Sequence, residues 1–187
     1  YVANQPKNAS KTVSGSVLDT THTYDVSNNL RNNAYSLTGW TFVGWSTNPD
    51  ASEATYKDTV SVKNLTDTNG DVVTLYAIWK ANTYSIVYDS NKPLKASNNV
   101  IGNTNDFKVT YDTDSTLPNN TYSLTGWTFA GWSINNDGNI DFKDNATIKN
   151  HLTSTDGDTV TLYAIWKENT YNISFDTNGG SFMDSIH

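Results

Sequence analysis

The feature that most constrains the fold of this chain is an internal repeat. The segment YSLTGWTFVGW at 35–45 returns at 122–132 as YSLTGWTFAGW, with a single substitution. The segment LYAIWK occurs at 75–80 and again at 162–167, so both motifs recur after 87 residues. Repetition at a fixed period indicates that one structural unit is used more than once. The sequence therefore predicts tandem copies of a small module instead of one large domain.

The repeat also places the module boundaries. A segment of the form NTYxIxxD opens at Asn82 and again at Asn169. Only residues 80–82 separate the LYAIW segment from the segment that follows, so we expect a short, stiff junction between modules. The predicted modules are 1–80, 81–167 and 168–187, the last being the first strand of a third repeat.

The first module begins in the middle of a repeat, because Tyr1 aligns with Tyr88. It therefore has no counterpart of most of the first strand, whereas the tail carries that strand a further time as NTYNIS. We expect the sequence to be an excerpt from a longer array. We also hypothesise that the tail of one chain completes the first module of another by strand addition.

Composition favours strands and turns. The chain has 25 Asn, 12% aromatic residues and only 17% charged residues. Aromatic and β-branched residues suit pleated surfaces, and Asn, Asp and Gly suit tight turns. Tyr84, Ile86 and Tyr88 alternate with other residues, as in a strand with one buried face. These patterns predict a mainly β fold with at most one short helix, at 64–69.

Within YSLTGWTFVGW the aromatic residues change face twice, at Gly39 and at Gly44. Glycine inside a strand pattern suggests a bulge, which would turn several aromatic residues toward one core. We assign Phe42 and Trp45 to the core, together with Trp79. The sequence leaves open whether Trp40 lies in the core or has a surface role.

Charge and composition exclude several classes of function. The net charge is −7, and the 12 basic residues are scattered, so we predict no nucleic-acid partner. The absence of Cys excludes disulfides and thiolate metal sites. No apolar run approaches the roughly 18–20 residues of a membrane span, so we expect no membrane insertion of this segment.

Neither catalysis nor a cofactor is predicted. None of His22, His151 and His187 recurs between repeats or is paired with a nucleophile, and we interpret them as surface residues. The segment 133–144 imitates a calcium loop, with ligand-like residues at Asn135, Asp137, Asp141 and Asp144. Its first residue is Ser and its last is Asp instead of Glu, so a plain turn is the favoured interpretation and no metal is predicted.

The motifs TGWTFxGW, TVTLYAIWK and NTYxIxxD, with an Asn-Leu-Thr turn between the first two, resemble the Listeria–Bacteroides repeat, also called the internalin B-repeat family. The resemblance implies an α+β, β-grasp-like module built on a twisted mixed sheet. It also implies tandem modules at the bacterial cell surface, where they act as stalk or adhesion segments. In two departures, Trp40 and Trp127 stand where the family commonly has Tyr, and Ile78 and Ile165 where it often has Lys.

Two functions follow as expectations. The first is an extracellular stalk or spacer, with a possible share in adhesion, whose partners are the neighbouring repeats of the chain and cell-surface or host proteins. The alternative is a module that binds glycans or mucins through exposed aromatic residues. The candidate binding residues are Trp40, Trp127, Tyr76 and Tyr163.

Overall fold

The alternating segments of each repeat form strands in a computed structural model that describes residues 1–148, 151–176 and 178–180. No helix occurs among these residues, and the mainly β prediction is confirmed. Segment 64–69 is irregular instead of helical, because Asn64 adopts a left-handed backbone with φ of 54°. The strands are β1 (Asn28–Asn29), β2 (Trp40–Ser46), β3 (Ser61–Val62), β4 (Tyr76–Ala81), β5 (Thr83–Asp89), β6 (Phe107–Thr110), β7 (Ser115–Thr116), β8 (Trp127–Ser133), β9 (Thr147–Ile148) and β10 (Thr159–Glu168).

The second module contains a four-stranded mixed sheet in the order β6-β5-β10-β8. The hairpin of β5 and β6 and the pair of β10 and β8 are antiparallel. The central strands β5 and β10 run parallel, with Ser85 opposite Thr159 and Tyr88 opposite Leu162. This agrees with the mixed sheet that the resemblance implies.

The first module has a smaller sheet, formed by β2 and β4. Strand β4 begins at Tyr76, whereas its counterpart β10 begins at Thr159, the position that corresponds to Val72. The difference has a physical cause. In the second module the early part of β10 pairs with β5, whereas the first module offers only a bridge from Val2 to Tyr76. Residues 72–75 are consequently not part of a strand.

The predicted bulge at Gly44 is present. The register of β2 and β4 shifts between Phe42 and Gly44, which leaves Val43 without a partner. Gly44 has φ of +143°, and a Cβ there would lie 2.4 Å from the carbonyl oxygen of Tyr56, so only glycine fits. Gly39, by contrast, lies in a turn before β2, not in a second bulge.

An aromatic cluster forms the core of each module. Trp45 is fully buried, with its ring centroid 5.0 Å from that of Tyr1 and 4.9 Å from that of Phe42. Trp132 is equally buried and is surrounded in the same way by Tyr88, Tyr122 and Phe129. Trp79 packs on Phe42 at the edge of the first core, and Trp166 on Phe129 in the second. The core assignment of Phe42, Trp45 and Trp79 is thus confirmed.

Candidate functional site

A single residue, Asn82, separates β4 from β5, and it ties the two modules together. It is 8% exposed, and all four of its polar groups are hydrogen-bonded. Toward the first module, its N–H donates to the carbonyl of Gly39 (2.9 Å) and its Oδ1 accepts from the hydroxyl of Thr41 (2.6 Å). Toward the second module, its carbonyl accepts from the N–H of Tyr111 (2.8 Å) and its Nδ2 donates to the carbonyl of Ser154 (2.8 Å). The orientation of one module is therefore fixed on the other by the junction residue itself.

Trp40, one of the candidate binding residues, lies at this junction. Its indole N–H donates to the Oδ2 atom of Asp112 in the second module at 2.7 Å. The backbone N–H of Ser10, also from the first module, donates to the same oxygen at 3.1 Å. Bonds of this kind to a carboxylate are among the stronger ones in proteins. Trp40 is half-buried, and its polar edge is used to hold the neighbouring module.

His151 supports the carboxylate from the other side. The backbone N–H of Asp112 donates to the Nε2 atom of His151 at 2.9 Å. The imidazole lies on the ring of Tyr111, with 3.9 Å between centroids. Its side chain is only 14% exposed, so the interpretation of His151 as a surface residue is wrong. The inserted residue thus supports Tyr111 and Asp112 of its own module, the two residues that meet Gly39 and Trp40 of the first module.

The environment keeps Asp112 ionised. Burial of its carboxylate raises its pKa, but the hydrogen bonds from Ser10 and Trp40 and the electrostatic interaction with His151 together have the larger effect. The pKa of Asp112 consequently lies below its usual value. At neutral pH the acceptor of the Trp40 indole is therefore a charged carboxylate.

Gly39 permits the close approach of the two modules. A Cβ at this position would lie 2.2 Å from the ring of Tyr111, and φ is +77°. Its counterpart Gly126 has nearly the same backbone, with φ of +82°, but no described atom within 4 Å of such a Cβ. The two glycines thus differ in whether a following module is packed against them.

The far end of the second module reproduces one half of the junction. Asn169 donates its N–H to the carbonyl of Gly126 (2.9 Å), and its Oδ1 accepts from the hydroxyl of Thr128 (2.6 Å). Both bonds match those that Asn82 makes to the first module. Trp127 is half-buried there and lines an open cavity of about 460 Å³ together with Trp166.

The four candidate binding residues do not form one surface. Within the first module Trp40 begins β2 opposite Ala81, whereas Tyr76 lies at the other end of the pair, opposite Ser46. Trp127 and Tyr163 are separated in the same way by the register of β8 and β10. Both tyrosines are half-buried. A ligand would therefore meet the tryptophans and the tyrosines at different ends of each module.

Each of the four calcium-loop candidates makes separate hydrogen bonds. Asp137 accepts from the backbone and side chain of Asn139, Asp141 accepts from the N–H of Ile134, and Asp144 accepts from the N–H of Asn120. Asn135 is exposed and donates its N–H to Ser133. Within the described ranges, no group of three acidic or histidine side chains converges. This arrangement favours the turn interpretation of the loop.

Alternation with Ala77 and Trp79 predicts that Ile78 faces outward. Instead Ala77 and Ile78 are both buried, which means that both faces of β4 are covered at this point. Its counterpart Ile165 is half-buried. The third histidine, His187, lies outside the described residues, as do residues 177 and 181–186 of the third repeat.

Sequence reasoning did not identify Asn82, Asp112 or His151 as interface residues. Signals for two of them were present. Asn opens the repeat at both 82 and 169, and a Tyr-Asp pair recurs as Tyr24-Asp25 and Tyr111-Asp112. His151 is an insertion in the second module, which is the module that receives Trp40.

Comparison with known proteins gives a family. The model of the Listeria–Bacteroides repeat domain matches residues 8–78 and 84–165. A protein of Evansella cellulosilytica named "Putative Gly-rich membrane protein" is 33% identical over 158 residues, which cover 81% of this chain and 17% of that protein. A second protein of this organism, named "Putative membrane protein", is 27% identical over 150 residues, or 79% of this chain and 19% of that protein.

The chain thus spans less than a fifth of the length of these relatives. No solved structure matches it. Among the described residues, no helix is long and apolar enough to cross a membrane. Since the family model covers most of the chain in two successive matches, the chain belongs to the Listeria–Bacteroides repeat family.

Proposed function

We propose that this chain is a stiff spacer in the extracellular part of a bacterial cell-surface protein, where successive modules set the distance between other domains and the cell. The observation that carries this proposal is the junction at Asn82, whose four polar groups hold both modules at once. A flexible linker would leave such groups to water. The partners of each module are then its neighbours along the chain, and the proposal includes no catalysis and no cofactor.

The carboxylate of Asp112, which accepts hydrogen bonds from Trp40 and Ser10, gives the spacer a second constraint on bending. Asn82 lies on the connecting chain, whereas the bond from Trp40 to Asp112 joins side chains 72 positions apart. Two separate attachments restrict rotation about the connecting residues more strongly than either one alone. The acidic surface, with its net charge of −7, favours solubility of such an array.

The proposal is tested by the distance between the modules. The chain has no Cys, so Ser52→Cys and Ser97→Cys, both at exposed positions, place one spin label in each module. At pH 7 we expect a single narrow distance distribution. Asp112→Ala is expected to broaden it, because the Trp40 indole and the Ser10 N–H lose their acceptor. A broad distribution in the otherwise unchanged chain would overturn the spacer proposal.

The control and the pH dependence come from the same measurement. Asp25, the counterpart of Asp112, bonds to Lys63 and Asn64 of its own module, so Asp25→Ala should leave the distance narrow. Because the pKa of Asp112 is lowered, its contribution is complete above the ordinary value of 3.8 and is lost as the pH falls through the lowered pKa. Acid should therefore broaden the distance in the unchanged chain below about pH 3.8 and have less effect on Asp112→Ala.

Glycan binding remains a second candidate at one position. The cavity beside Trp127 combines two indole rings with the amides of Asn91 and Asn136, a combination that suits a sugar. The test is a glycan array probed with the unchanged chain and with Trp127→Ala, which should lose binding if the cavity is the site. Trp40→Ala is the control, because Trp40 is engaged with Asp112. Absence of binding by the unchanged chain would remove this candidate.

A further inference from the structure

The two central strands of the second module also carry the chain into and out of that module. Strand β5 begins at Thr83, directly after the junction residue Asn82, and β10 ends at Glu168, directly before Asn169. The two strands are neighbours in the sheet and run parallel. A pull on the chain from outside this module therefore acts on β5 at its beginning and on β10 at its end.

The parallel arrangement decides how tension acts on the hydrogen bonds between these strands. The beginning of β5 and the end of β10 lie at opposite ends of the pair, because Ser85 is opposite Thr159 and Asp89 is opposite Tyr163. Tension therefore pulls the two strands along their own axes in opposite directions. The hydrogen bonds between them are then loaded together, in shear. In an antiparallel hairpin pulled at its two free ends, the bonds would instead break one after another.

Three further hydrogen bonds fasten β5 where the tension enters. The N–H of Thr83 donates to the Oδ1 atom of Asp156 (2.7 Å), and the carbonyl of Thr83 accepts from the N–H of Gly157 (2.7 Å). The N–H of Ser85 donates to the carbonyl of Asp158 (2.9 Å). All three partners lie directly before β10, so these bonds extend the contact between the two strands to the first residue of β5.

The core protects the contact between β5 and β10 from water. Tyr84 and Ile86 of β5 are buried, as are Leu162 and Ala164 of β10. Strand β6 covers the outer edge of β5, and β8 covers that of β10. Because local opening begins where backbone hydrogen bonds are exposed to solvent, a pair inside the sheet is expected to slide as a unit instead of fraying.

We propose that the second module is a force-bearing element, in which β5 and β10, with residues 156–158, form a clamp against tension along the chain. The inference rests on the proposed spacer role for the source of the tension, since a surface protein held at its outer end is stretched when the cell is pulled away. The resistance itself resides within residues 83–168. Because forced unfolding depends on the rate of unfolding, a module of ordinary stability bears load when it is pulled in shear.

Pulling single molecules from two different pairs of positions tests the clamp. The chain has no Cys, so Lys80→Cys with Lys167→Cys, both at exposed positions, attaches handles that load β5 and β10 in shear. Lys80→Cys with Thr155→Cys, also exposed, attaches both handles at the same end of the pair, so that the bonds break in succession. We expect the first handle pair to rupture in one step, at a several-fold higher force than the second.

Two controls accompany the comparison of handle positions. Both double variants should unfold at the same urea concentration, so that a difference in rupture force reflects the direction of pulling and not stability. The length released on rupture reports the residues between the handles and identifies the module that unfolded. Equal rupture forces in the two geometries, or gradual extension at low force between handles at 80 and 167, would overturn the proposal.

Asp156→Ala tests the bonds at the entry of β5. It removes the acceptor of the Thr83 N–H and should lower the rupture force in the shear geometry. Asp114→Ala is the matched control, because it removes the same charge from an exposed position outside β5 and β10 and should leave the rupture force unchanged. Equal forces in the two variants would overturn the part of the clamp assigned to residues 156–158.

Failure of the clamp and failure of the spacer proposal are distinguishable. The spacer proposal is judged by the distance between labels in the two modules, whereas the clamp is judged by the rupture force of the second module alone. A low rupture force would overturn the clamp and leave the distance distribution narrow. A broad distance distribution would overturn the spacer and leave the rupture force high.

Discussion

Replacing Trp132 with alanine is expected to lower the free energy of unfolding of the second module by about 3–5 kcal/mol. The indole is fully buried and is in contact with the rings of Tyr88, Tyr122 and Phe129. Its Nε1 is bonded to no group among the described residues, so the loss comes from packing and from the cavity left behind. Urea unfolding followed by far-UV circular dichroism measures the change.

Trp127→Ala is the matched control for this substitution. It removes the same side chain from the same strand β8, but from a half-buried position at the edge of the sheet. Its effect on the free energy of unfolding should be less than half that of Trp132→Ala. Equal effects would contradict the assignment of Trp132 to the centre of the core and of Trp127 to a half-buried position at the edge of the sheet.

Much of the module could be predicted because its determinants are local. The bulge at Gly44 was visible as a change of face within one motif, and the core positions of Phe42 and Trp45 followed from it. The short β4 could not be predicted in the same way. The sequences of 72–80 and 159–167 are almost identical, yet only the second forms a strand throughout. Their difference arises from the parallel partner strand, which is a tertiary property.

The junction was harder to predict for a related reason. Trp40 was identified as the unusual aromatic residue of the motif, but its partner Asp112 is 72 positions away and belongs to another module. A sequence pattern confined to one repeat cannot reveal that pairing. His151 was interpreted as a surface residue, although it supports Tyr111 and Asp112, the two residues that meet the first module. Interfaces between repeats depend on residues that lie in loops. A local sequence pattern carries little information about the contacts of such residues.

Gly39→Ala is expected to open the junction, whereas Gly126→Ala is expected to leave it intact. Both glycines have φ near +80°, so either substitution should cost about 1–2 kcal/mol of backbone strain within its module. Only at Gly39 does the new methyl group also meet the ring of Tyr111, which it would approach to 2.2 Å. Relief of that overlap requires the second module to move away, and overpacking of this kind typically adds about 1–3 kcal/mol.

The pair of variants separates the interface from the fold. Both should show a similar loss of stability from strain, measured by thermal unfolding. Only Gly39→Ala should show the further loss and a broadened distance between labels at Ser52→Cys and Ser97→Cys, because the bonds that Asn82 and Asp112 make across the junction would lengthen together. Identical behaviour of the two variants would mean that the contact between Gly39 and Tyr111 does not hold the modules. The stiffness of the array would then rest on the hydrogen bonds of Asn82 and Asp112 alone.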